Sequence, residues 1–105
     1  MNNIKNERTD LLFDAILSLK DREECYKFFE DICTVQELLE MSKRLYAAKL
    51  LDSGKVYTEI VGETGLSTAT ISRVNRCLSY GSGGYRLALD RISEDKAAKN
   101  GSEDE

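Results

Sequence analysis

The sequence predicts an all-helical fold, on three observations. None of the 105 residues is proline, the strongest helix breaker. Apolar side chains recur at steps of three and four, the spacing of one helical face. Glycine gathers where that rhythm stops. In chain order, Leu11, Leu12, Ala15, Ile16 and Leu19 give a first helix from Glu7 to Leu19. Asp21, with Glu24 three residues on, has the spacing of a capping box and opens a second helix carrying Cys25, Phe28, Phe29 and Ile32. Thr34 and Glu37 repeat that spacing ahead of the longest helix, which runs to about Ser53. Leu38, Met41, Leu45 and Ala48 form its stripe, flanked by Leu39, Tyr46, Leu50 and Leu51. Gly54 then stands where a left-handed backbone ends a helix. Thr58 to Thr64 is a helix of two turns, Gly65-Leu66 a tight turn, and Ser67 the N-cap of a helix reaching about Tyr80. The run from Ser79 to Gly84 is expected to be a flexible connector. A last helix puts Tyr85, Ala88, Leu89 and Ile92 on one face. From Ser93 on there is almost no large apolar side chain. Residues 96–105 are therefore expected to be a disordered acidic tail behind one helical domain of residues 1–95.

Composition removes several functions. The chain has no histidine, which excludes Ser-His-Asp, Cys-His and His-metal chemistry. Cys25, Cys33 and Cys77 are an odd set without a CxxC pair, so neither a disulfide framework nor a four-thiolate zinc site is expected. They read as reduced thiols, with a redox role for Cys77 as the sharper alternative. No nucleophile–base pair, metal cluster or phosphate loop stands out, and the chain is not expected to be an enzyme. No membrane helix is expected, and the first ten residues lack the apolar run of a secretory signal, which together favour the cytoplasm.

The net charge of −4 argues against a nucleic-acid partner until it is divided along the chain. Residues 1–33 carry a net of −3 and residues 93–105 another −3, whereas residues 66–92 hold four Arg against one Asp. Charges further apart than the Debye length, about 8 Å at physiological salt, are largely screened from each other, so the local basic patch sets the attraction to a polyanion.

The informative pattern, TEIVGETGLSTATISRVNRCL, from Thr58 to Leu78, runs into that basic segment. A helix-turn-helix needs two short helices crossing steeply at a tight turn. Ile60 and Val61 supply the inward face of the first helix, and Ile71, Val74 and Leu78 that of the second. Gly65 supplies the turn, and Leu66 plugs the gap. The remaining positions at the start of the second helix, Ser67, Thr68, Ala69, Thr70 and Ser72, are small, and Arg73 and Arg76 follow. Small residues let a helix tip approach the floor of the major groove. Hydroxyls, a methyl group and arginine can read base edges there. The expected contacts are to phosphate from Ser67 and Arg76, and to bases from Thr68, Ala69, Ser72 and Arg73. The plainer alternative is a surface amphipathic helix with a good cap. Against it, Ser and Thr cost a few tenths of a kcal/mol each relative to Ala in a helix.

The block GLSTATISRVNRCL, together with ELLEMSKRLYAAKLL and the Gly54 that follows it, resembles the Trp repressor superfamily, and more closely its YerC/YecD-type, TrpR-related group. The resemblance covers roughly residues 10–92. It implies six helices, a homodimer with interlocked N-terminal helices, and two recognition helices entering successive major grooves of double-stranded DNA. The residues themselves also favour a dimer, because Leu11, Leu12, Phe13, Ile16, Leu17, Phe28, Phe29 and Ile32 are a generous apolar set for so short a chain.

The resemblance further implies a corepressor site in which Arg44 and Arg73 sandwich an indole near Thr34. Departures stand beside it. Val74 replaces a glycine, Cys77 a serine, Asp31 and Cys33 apolar residues, and the turn is one residue shorter. No cofactor is expected, L-tryptophan is not the expected ligand, and Arg44 could equally be a surface residue four positions from Glu40. The expected function is a sequence-specific DNA-binding transcriptional regulator of the repressor type. The alternative is a ligand-binding or protein-interaction module that keeps the scaffold without DNA binding.

Overall fold

The structure, a computed structural model, describes the backbone of residues 4–103 and the side chains of residues 4–96. Six helices and no strand are found among the described residues: α1 (Glu7–Leu17), α2 (Arg22–Ile32), α3 (Val35–Asp52), α4 (Tyr57–Thr64), α5 (Thr68–Tyr80) and α6 (Gly84–Glu103). The backbone groups into two units, Met1–Leu39 and Glu40–Glu105, with the division inside α3.

In the first unit the helix starts follow from local chemistry. Asn6 caps α1, accepting from the N–H groups of Arg8 and Thr9, while the Thr9 hydroxyl accepts from Asn6 N–H. Asp21 caps α2 by accepting from Glu24 N–H at 2.8 Å, and the Glu24 carboxylate accepts from Lys20 N–H rather than from Asp21. Thr34 and Glu37 complete a reciprocal box ahead of α3: Thr34 N–H donates to Glu37 Oε1 at 2.8 Å, and Glu37 N–H to Thr34 Oγ1 at 3.0 Å. α1 stops at Leu17, two residues short of the predicted end. The Ser18 hydroxyl donates back to the carbonyl of Ala15, a local bond that competes with further helix. Neither α1 nor α2 contains a buried residue.

The second unit holds the core. Ala47, Ala48 and Leu50 of α3, Ile60 of α4, Leu66 of the turn, and Ile71 and Val74 of α5 are buried together, with Leu51, Tyr57, Val61, Tyr85 and Leu89 packed around them. The predicted stripe on α3 is corrected here. Of that stripe Ala48 faces the core, joined by Ala47 and by Leu50 from its flank, while Met41, Leu45 and Tyr46 stay exposed.

Two further expectations change. The connector after α5 is only Gly81, Ser82 and Gly83, because the helix continues through Tyr80 and α6 starts at Gly84. α6 also remains helical to Glu103, where the sequence predicts loss of order from residue 96. Lys96, Ala97, Ala98 and Lys99 are strong helix formers that need no apolar face to extend a helix already started. Asp104 and Glu105 lie outside the described residues. α6 is fastened by Arg86, whose guanidinium donates to both oxygens of Asp52 at the end of α3, at 2.6 and 3.1 Å, and to Asp90 at 3.1 Å. The hydrogen bond from Arg86 holds the Asp52 carboxyl below its ordinary value, against the opposing effect of burial.

Candidate nucleic-acid interface

The α4–turn–α5 unit is built from inside outward. Ile60 on α4 and Ile71 on α5 are fully buried, and Val74 nearly so. Between the helices Gly65 takes φ +74°, and its N–H donates to Val61 O at 2.8 Å. A residue with a Cβ resists that backbone. Leu66 enters the core at 4% exposure, as its predicted role as a plug requires. Ser67 accepts from Thr70 N–H at 3.1 Å and so caps α5.

With Ile71 and Val74 facing inward, Ser67, Thr68, Ala69, Ser72, Arg73 and Arg76 are exposed, and Thr70 is half-buried. Their side chains are not equally available. The Ser67 hydroxyl donates to Thr70 Oγ1 at 3.0 Å while it accepts from Thr70 N–H, so both residues serve the cap first. Among the described residues, Thr68 and Ser72 make no side-chain hydrogen bond, and Arg73 and Arg76 make no ion pair. The outward face of α5 thus carries two spare hydroxyls, one methyl group and two unneutralised guanidiniums around a capped helix start. That set can donate to and accept from base edges, and the guanidiniums can pair with phosphates.

The three residues of the expected ligand site are placed as follows. Thr34 spends its hydroxyl on the α3 box and, with Cys33, borders a groove of about 260 Å³ walled by Tyr26, Phe29 and Leu38. Arg44 is half-buried on α3 and makes no ion pair with Glu40 among the described residues. Arg73 lies exposed on α5. Val74 is a core residue at 2% exposure. Cys77 is exposed, and Cys25 and Cys33 are half-buried. No group of three or more metal-binding side chains occurs among the described residues, and no described helix is long and apolar enough to cross a membrane. Sequence reasoning missed Thr64, a buried polar residue at the end of α4. Its position just before the turn glycine was the available signal.

The α4–turn–α5 pair, built on its own core, defines a helix-turn-helix protein. A family model described as Trp repressor protein matches residues 7–93. The uncharacterised protein YerC of Bacillus subtilis (strain 168) is 51% identical over 94 residues, covering 90% of each chain. The crystal structure of a TrpR-like protein from Eubacterium eligens ATCC 27750 superposes with a TM-score of 0.85 at 49% identity, covering 89% of this chain and 96% of that one. A protein described as a candidate Trp repressor, from Staphylococcus aureus, gives 0.84 at 48% identity, covering 89% and 95%. The chain belongs to the Trp repressor family, in its YerC-type, TrpR-related group. That is a family of regulators, not of enzymes.

Proposed function

We propose that the protein is a sequence-specific DNA-binding transcriptional regulator of the repressor type, acting in the cytoplasm as a homodimer with α5 as recognition helix. The observation that carries this reading is the outward face of α5, where Thr68, Ala69, Ser72, Arg73 and Arg76 are all exposed and neither arginine is neutralised among the described residues. Phosphate contacts fall to Arg76 and to the α5 start at Ser67, and base contacts to Thr68, Ala69, Ser72 and Arg73, with Thr70 supporting the tip. The dimer is supported by the first unit, where Leu17 is 81% and Leu11 69% exposed. Apolar area left in water at about 25 cal/mol per Å² is a strong drive to associate.

The test is selection of bound duplexes from a random library, followed by a salt titration on the winner. A regulator retains the selected duplex over a scrambled one, and log K falls linearly with log salt. Equal binding of both duplexes at every salt concentration rejects the reading in favour of an interaction module, which the net charge of −4 would suit.

Arg44 and Arg73 are the proposed contacts of a small effector, and a planar anion is the chemistry two guanidiniums favour. L-Tryptophan is not that effector in this proposal. Val74 is a bulky core side chain where the resemblance calls for glycine, and Asp31 adds an anion where it calls for an apolar wall. Millimolar tryptophan is expected to leave both Tm and DNA affinity unchanged. A rise in either restores it as corepressor.

A further inference from the structure

We propose that the hydroxyl of Thr64 positions the recognition helix, and that the specificity of the site, as distinct from its affinity, depends on it. The proposal rests on the DNA-binding reading above and names the residue that aims its tip. Every backbone group in the turn has to find a partner, because the turn runs into the core. Gly65 N–H is satisfied by Val61 O. The next donor is Leu66 N–H, on a residue only 4% exposed. Its partner is Thr64 Oγ1 at 3.1 Å, and the same hydroxyl donates its proton to Ile60 O at 2.7 Å. One side-chain oxygen therefore links the last turn of α4 to the residue that enters the core between the helices. Ser67, the very next residue, caps α5. The path from α4 to the DNA-facing tip is fixed at consecutive points by Thr64, the Leu66 side chain and the Ser67 cap.

Thr64 is itself only 7% exposed, and no buried side-chain polar atom among the described residues lacks a partner. Valine at this position fills the same volume but leaves Leu66 N–H without its bond in a dry site. The turn then has to shift to find another acceptor or water. A shift of about half an ångström is enough to spoil readout of base edges, whereas attraction to phosphates tolerates it.

The experiment compares wild type, Thr64→Val and Thr64→Ser on the selected duplex and on its scrambled counterpart at one salt concentration, with Tm and the hydrogen-exchange rate of the Leu66 amide measured on each protein. Thr64→Val is expected to lose about tenfold in the selected-to-scrambled ratio, with scrambled binding unchanged and the Leu66 amide exchanging faster. Thr64→Ser keeps the hydroxyl and is expected to hold the wild-type ratio within about twofold even where Tm falls. That split separates positioning from plain loss of stability. If Thr64→Val does not fold, the serine variant decides alone: a folded Thr64→Ser without the wild-type ratio overturns the proposal. A folded Thr64→Val with an unchanged ratio overturns it too, and leaves the DNA reading intact. Absence of any preference in wild type overturns both.

Discussion

At the scale of single residues, the contacts proposed for the exposed face of α5 are of two kinds. Arg76 carries charge without a partner among the described residues, so Arg76→Ala is expected to weaken binding to all duplexes by a similar factor and to reduce the salt slope by about one. Thr68→Val and Ser72→Ala remove hydroxyls that make no hydrogen bond among the described residues, so they should change which duplexes win a selection while leaving stability within about 0.5 kcal/mol of wild type. Quantitative gel shifts on a panel of single-base variants check both. Two glycines have the opposite character. Gly65 sits at φ +74°, and Gly65→Ala is expected to cost about 1–2 kcal/mol in urea unfolding. At Gly81 a Cβ would collide with the carbonyl oxygen of Cys77, so Gly81→Ala is expected to cost about 1–3 kcal/mol despite an ordinary φ.

At the scale of helices, the bidentate bond from Arg86 ties α6 to the end of α3. Because it lowers the pKa of Asp52, the bond contributes stability at pH values above the ordinary 3.8, and the contribution is lost as pH falls below that through the folded value. Asp52→Asn removes it, so denaturation curves of wild type and variant should lie furthest apart near neutrality and converge under acid conditions. Parallel curves down to pH 2 would show that the bond has no such role. The effect is expected to be small and to shrink in high salt, since the two side chains are 45% and 39% exposed.

At the scale of the whole molecule, the helices divide by what they leave uncovered. The second unit has a closed core, whereas α1 and α2 bury nothing although they carry Leu11, Phe13, Leu17 and Tyr26. Light scattering is expected to give close to twice the chain mass of 11.8 kDa. Leu17→Glu, at a position 81% exposed, is expected to shift the equilibrium toward the monomer and weaken DNA binding. A wild-type mass equal to one chain would remove the dimer. The charge division acts at the same scale. With acidic ends around a basic middle, only a few arginines are available to neutralise phosphates, so the loss of DNA affinity with salt should be shallow.

The sequence by itself determined what depends on near neighbours. Capping at Asp21, Thr34 and Ser67, the turn at Gly65, the order of six helices and the small hydroxyl-bearing tip are all set within four or five residues, the range over which a helix hydrogen-bonds and repeats. The tertiary structure alone decided that Ala47 and Leu50 join Ala48 in the core of the second unit while Met41 and Leu45 do not. It alone joined Arg86 to Asp52 across 34 residues, and it buried Thr64 and Leu66. Those outcomes turn on which helix lies against which and on where water is excluded, and periodicity along one chain contains neither.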